Sequence, residues 1–222
     1  IGRTEWTGVV NGRELPHYIP RSTETYFSYF ENLSKIKNDM VIFTSNDLVD
    51  KIKAIRHKNA PDSLTHVVGV ELAESTKAIK PVIQMVQSQP EYAALMVDPH
   101  MPEYWNADYV LVNFMKTDFV NHAYDAGLIE TELAAWIDFG YARDNKTIPA
   151  NGVWKYSFDP KKMHYFNKIP LDNRPIFDIT RTNTVYIMGC HIVGGREAWQ
   201  NNLRLNYNSL KSMIRCGLVD DD

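Results

Sequence analysis

Apolar positions Tyr26, Phe27, Phe30, Leu33 and Ile36 recur at three- and four-residue steps behind Ser22, which predicts an amphipathic helix capped by the Ser22 hydroxyl. Asn38-Asp39 interrupts the pattern, and the apolar run Met40–Thr44 predicts a strand covered on both faces. Ser45 is placed to cap a second helix. That helix carries Leu48, Val49, Ile52 and Ile55 on a buried side, Lys51, Lys53 and Arg56 on the other, and stops before Pro61. Residues 65–70 predict another strand and residues 79–86 a helix ending at Pro90.

Residues 104–113 and 118–124 read as two helices separated near Lys116-Thr117, with Gly127 closing the region. Leu133–Ile137 is a third buried strand, ending in the polar turn Asp138-Phe139-Gly140-Tyr141. The stretch 155–181 is less regular. Residues 184–192 predict a strand terminated by Gly194-Gly195, and 196–216 a helix with the stripe Trp199, Leu203, Leu210, Met213 and Ile214, stopped by Gly217. Alternating strands and helices predict an α/β protein with a mostly parallel central sheet flanked by helices. Without repeats, low-complexity tracts or Gly/Ser linkers, residues 1–222 read as one domain.

The 222 residues are 44% hydrophobic and 23% charged, the makeup of a folded globular chain. A net charge of −3 argues against a nucleic-acid partner, which would call for a strong basic excess. No apolar run is long enough to cross a bilayer, so the chain reads as soluble and cytoplasmic. The two cysteines, Cys190 and Cys216, are too few for a disulfide framework and match no zinc pattern. Two Asn-x-Ser/Thr triplets, at Asn32 and Asn145, are patterns short enough to arise by chance.

Three features carry candidate chemistry. Asp138 stands at the C-terminal end of a buried strand, where α/β sheets place ligands and where a carboxylate can hold a hard divalent cation that neutralises a departing diphosphate. Gly194-Gly195 lets the backbone approach a ligand closely. The acidic run Asp220, Asp221 and Asp222 can supply a base, although such runs are usually solvated tails. Lys116 and Arg143 are candidate partners for diphosphate oxygens, each competing with an ordinary surface role. His191 is a candidate metal ligand in a strand where a buried structural histidine is the commoner outcome. Trp105, Trp154 and Tyr165 can stack on a sugar, whereas the aromatics of the two helical stripes belong to the core.

The segment Ala135-Trp136-Ile137-Asp138-Phe139-Gly140-Tyr141-Ala142-Arg143, the opening Ile1-Gly2-Arg3, the motif Lys116-Thr117-Asp118-Phe119-Val120 and the closing Gly217-Leu218-Val219-Asp220-Asp221-Asp222 together resemble the WlaTC/HtrL (YibB-like) family of bacterial glycosyltransferase-like proteins. The resemblance spans nearly the whole chain. It implies a GT-A type fold, a Rossmann-like sandwich that binds a nucleotide-sugar, and a role at surface polysaccharide or lipopolysaccharide loci. It also implies a further strand before Ile1, to hold the nucleotide base, and a segment beyond the C-terminus. In such transferases an Asp-x-Asp turn binds Mn2+ or Mg2+ and the donor diphosphate. The matching position here is Asp138-Phe139-Gly140, without the second Asp, so Asp138 would share the cation with a distant ligand such as His191 or a terminal Asp, or the enzyme would work without metal. Cys190-His191-Ile192-Val193-Gly194-Gly195 is similar to the segment that lines the donor sugar.

The expectation is therefore a glycosyltransferase that moves a sugar from a nucleotide-sugar, with UDP the commonest carrier, to a saccharide or glycolipid acceptor, with peripheral contact at the inner membrane. Asp138, Lys116, Arg143, Gly194 and Gly195 would bind the donor, and one of Asp220, Asp221 and Asp222 would act as base. A non-catalytic nucleotide- or saccharide-binding protein of the same fold is the alternative. A metal-dependent phosphoester hydrolase using Asp138 with Asp178 or the terminal acidic cluster is a third reading, unsupported by any motif.

Overall fold

The computed structural model describes residues 9–10, 13–15 and 21–220. The elements are β1 (Val9–Val10), β2 (Arg13–Glu14), α1 (Thr23–Leu33), β3 (Met40–Thr44), α2 (Val49–Asn59), β4 (Thr65–Gly69), α3 (Leu72–Ser75), α4 (Lys80–Gln87), α5 (Pro90–Leu95), α6 (Ala107–Asp125), β5 (Leu133–Ile137), β6 (His164–Asn167), α7 (Ile176–Thr182), β7 (Ile187–Gly195) and α8 (Arg196–Arg215). The α/β class holds, but the described strands do not form one mostly parallel sheet. They form an antiparallel β1-β2 pair, a parallel β3-β4 pair and a three-stranded sheet in the order β5-β7-β6, in which β6 and β7 run antiparallel. Among the described residues no helix is long and apolar enough to cross a membrane.

The chain divides into two compact units. The first contains the described residues up to Leu72 together with Ala126–Glu130 and Ile137–Ser157. The Ser22 hydroxyl accepts from the N–H of Thr25 at 3.2 Å, so α1 starts where its cap predicts. Phe27, Phe30 and Leu33 of α1 pack with Ile36, Ile42 and Ile52 in one core, each such side chain contributing roughly 1.5–3 kcal/mol by leaving water. Ser45 makes no cap bond through its side chain. A 3-10 turn over Asn46–Leu48 intervenes, with Leu48 N–H donating to the Ser45 carbonyl, and α2 begins only at Val49.

Arg56, expected on the solvated side of α2, is 1% exposed. It stands four residues after the fully buried Ile52 and so shares its helical face. Its guanidinium donates to the carbonyls of Ser34 (2.7 Å), Ile36 and Asn38 (2.6 Å), and its Nε donates to Thr65 Oγ1 (3.1 Å). These carbonyls belong to the turn between α1 and β3, where no ladder could satisfy them. One side chain thus ties the end of α1, the entry to β3 and the start of β4 to α2.

The second unit contains Ala73–Asp125, Thr131–Trp136 and residues 158–220. The two helices expected over 104–124 are one helix, α6. Lys116 and Thr117, read as a break, lie inside it because their polar groups find tertiary partners, described below. Helix α5, strand β6 and helix α7 come from stretches without clear periodicity. Strand β7 includes Gly194-Gly195 and ends at Gly195, which is the N-cap of α8, so strand and helix are joined without a loop. Gly217 does end α8. At φ +70° it closes a Schellman motif, in which Leu218 N–H donates to Met213 O (2.9 Å) and Gly217 N–H to Ile214 O (3.0 Å). Leu218 and Val219 then enter a core with Ile83, Val86, Val110 and Leu111.

Replacing Arg56 by Ala leaves buried carbonyls without donors and should lower unfolding stability by about 3 kcal/mol or more. Arg56→Lys, with fewer donors and no planar fork, should recover only part of it. Denaturant midpoints of the three proteins check this.

Candidate functional site

In the first unit, Asp138 follows β5 directly and opens a turn in which Tyr141 N–H donates to the Asp138 carbonyl at 2.9 Å. Helix α1 holds this turn from below. Phe139 stacks on Phe30, with ring centroids 4.4 Å apart and planes 8° off parallel, and meets Phe27 edge-on at 5.6 Å. Asn32 donates to the carbonyl of the fully buried Ala142 at 3.2 Å. Tyr141 packs edge-on against Trp154 at 5.7 Å, and Trp154 is itself held by its N–H on Asn38 Oδ1 (2.8 Å) and its indole N–H on Thr147 O (3.3 Å). The result is a preorganised turn carrying a half-buried Asp138 carboxyl, with Arg143 exposed five residues on.

Gly140 occupies the place of the second Asp of an Asp-x-Asp turn. A Cβ there would lie 2.8 Å from Tyr26 Cε1, so the ring of Tyr26 covers the position and a second carboxylate has no room unless that ring moves. Among the described residues no group of three or more His, Cys, Asp or Glu side chains converges to hold a metal ion. The donor set for the expected cation is thus not present around Asp138 in the described residues. Asp221 and Asp222 lie outside them.

In the second unit the other candidates have structural partners. Lys116, expected near a helix start, is 8% exposed in the middle of α6 and donates from Nζ to the Gly189 carbonyl of β7 at 2.9 Å. On the same strand His191 is buried, its ring 4.7 Å from that of Phe166, and burial lowers its pKa so that the neutral imidazole is favoured. Gly194 and Gly195 are required by close packing: a Cβ on Gly194 would stand 2.6 Å from Met163 Sδ, and one on Gly195 would collide with the Pro160 carbonyl, which accepts the Gly195 N–H at 3.1 Å. Asp220, a candidate base in a run of a kind that usually forms a solvated tail, is 7% exposed next to the fully buried Val219, whose carbonyl accepts from Tyr92 OH at 2.7 Å. Asp178 lies 3.8 Å from Arg181. Tyr165 donates to Asn202 Oδ1 at 2.6 Å and Trp105 to His100 O at 3.0 Å. Neither Cys190 nor Cys216 forms a disulfide.

Sequence reasoning missed a polar seam between α6 and α8. Asn121 donates to Thr117 O (2.8 Å) and Trp199 O (3.1 Å), Asn206 donates to Thr117 Oγ1 (3.1 Å), and Tyr207 OH donates to Asp118 Oδ1 (2.8 Å). The signal was present in the four-residue spacing of Thr117 and Asn121 and of Asn202 and Asn206, between the apolar stripes of the two helices. Burial raises the Asp118 carboxyl above its usual range and, with the Asp118 charge beside it, pushes the Tyr207 phenol up to about 12.

Fold and turn together define a mixed α/β protein with a small parallel pair, a separate mixed or antiparallel sheet and a rigid strand-end aspartate. Residues 1–222 match the family described as "Bacterial protein of unknown function (HtrL_YibB)", and the chain belongs to that family. It is 36% identical over 228 residues to "Protein HtrL" of Escherichia coli (strain K12), an alignment that covers 100% of this chain and 78% of that protein. No solved structure matches the chain.

Two outcomes follow from these contacts. Gly140→Asp, which supplies a second carboxylate to the turn, should lower the melting temperature, and it should cost less in a Tyr26→Ala background than in the parent chain, as a double-mutant cycle would read. Because the folded state binds the Asp118 proton more tightly than the unfolded chain does, this residue's contribution to stability falls as pH rises from the unfolded to the folded pKa. Asp118→Asn should therefore gain in melting temperature relative to the parent chain as pH rises through the carboxylate range, from about 4 upwards.

Proposed function

We propose that the protein is a nucleotide-sugar-dependent glycosyltransferase of GT-A type, acting on a saccharide or glycolipid acceptor in bacterial surface polysaccharide synthesis. The observation that carries the reading is the Asp138 turn, a strand-end turn that Phe30, Tyr26 and Asn32 hold through Phe139, Gly140 and Ala142. Such rigidity suits a group that must meet ligand hydroxyls in one geometry. The parallel β3-α2-β4 unit, which belongs to the same compact unit as the turn, adds support as the kind of element that nucleotide-binding folds use.

In this reading Asp138 accepts hydrogen bonds from donor hydroxyls, and the exposed Arg143 meets the diphosphate charge. The acceptor oxygen forms a bond to the anomeric carbon while the bond from that carbon to the phosphate oxygen breaks. The nucleoside diphosphate leaves with the electron pair. The acceptor's proton passes to a general base. Since the described residues do not assemble a cation site, no step here is routed through a metal. The same absence of a carboxylate at position 140 favours a second reading, a non-catalytic nucleotide- or saccharide-binding protein.

A nucleoside diphosphate or nucleotide-sugar that binds the folded chain should raise its melting temperature. Asp138→Asn removes charge-assisted hydrogen bonds and should weaken that ligand at least about tenfold, each shift being read against the variant's own ligand-free melting temperature. Slow release of free sugar from the donor distinguishes the transferase from the binder. No shift with any nucleotide, or full affinity in Asp138→Asn, would overturn the site.

A further inference from the structure

Beside Asp118 a cavity of about 170 Å³ opens between α6, α8 and the turn that precedes α4. Ile79, Phe114 and Leu210 give it apolar walls, and Asp118, Asn206 and Tyr207 supply polar groups. Their hydrogen bonds assign the role of each. Tyr207 commits its proton to Asp118 Oδ1, so its oxygen remains an acceptor. Asn206 commits Nδ2 to Thr117 Oγ1, which leaves Oδ1 as the acceptor end of the amide. Asp118 is an acceptor that carries charge, and no cationic side chain among the described residues pairs with it.

A carboxylate half withdrawn from water and left without a cation is costly, and a ligand that brings the missing charge recovers that cost. An anion would be repelled. A neutral alcohol would donate one hydrogen bond and leave the charge uncompensated. A quaternary ammonium would bring charge but no N–H. A primary ammonium brings one positive charge and three N–H donors to three acceptors, and an aliphatic stem to the apolar walls. At about 170 Å³ the cavity is well above the roughly 10–15 Å³ that a single water needs by the same measure, so it has room for a small organic ligand.

We propose that the Asp118–Asn206–Tyr207 cavity is a binding site for a primary alkylammonium ion on a short apolar stem. The site is separate from the nucleotide reading, so its test stands apart from that of Asp138. The full chain is titrated with n-butylammonium chloride, butyltrimethylammonium chloride and 1-butanol at constant ionic strength, and its melting temperature is followed. Saturating n-butylammonium should raise it by about 2 °C or more, with neither control doing so. Asp118→Asn should weaken n-butylammonium at least tenfold. An equal shift with 1-butanol or with the trimethyl compound, no shift with n-butylammonium, or unchanged affinity in Asp118→Asn would each overturn the proposal. If Asp118→Asn does not fold, the three-ligand series on the parent chain decides alone.

Discussion

A single buried guanidinium underlies the first unit. Arg56 leaves water almost completely, a loss that is tolerable only because Ser34, Ile36, Asn38 and Thr65 each present it an oxygen. In return it fixes where α1 ends and where β3 and β4 begin. Helix α1 then offers Tyr26, Phe30 and Asn32 to the Asp138 turn. The geometry of the candidate site is therefore set one layer away from it, by hydrogen bonds to backbone oxygens that would otherwise be orphaned.

The second unit is organised by polar groups of a different kind. Lys116 reaches from α6 to a carbonyl of β7, and the seam from Asp118 and Asn121 to Asn206 and Tyr207 joins α6 to α8. The motif Lys116-Thr117-Asp118 thus has a structural occupation that its likeness to the family's motif did not suggest. Asp118 is the member with no cationic partner among the described residues, which is why the cavity beside it stands out.

Glycine shows how a residue type can be legible while its reason is not. The pair Gly194-Gly195 reads as room for a ligand, yet Met163 and Pro160 occupy the space a side chain would take. Gly140 reads as a missing carboxylate, and Tyr26 lies over the place where it would be. In both cases the neighbour comes from another part of the chain.

The sequence by itself determined what depends on a few consecutive residues. The cap of α1 at Ser22, the stop of α8 at Gly217, the strands Met40–Thr44 and Leu133–Ile137 and the turn after Asp138 all follow from spacing and backbone preference within one or two turns of chain. The α/β class follows from their alternation. Tertiary structure decided which strands pair, that α6 continues through Lys116-Thr117, that Arg56 lies inside and that Asp118 meets Tyr207 from 89 residues away. The reason is physical: a polar side chain in an amphipathic pattern reads as solvated until packing brings it partners, and those partners lie too far along the chain for local spacing to reveal them.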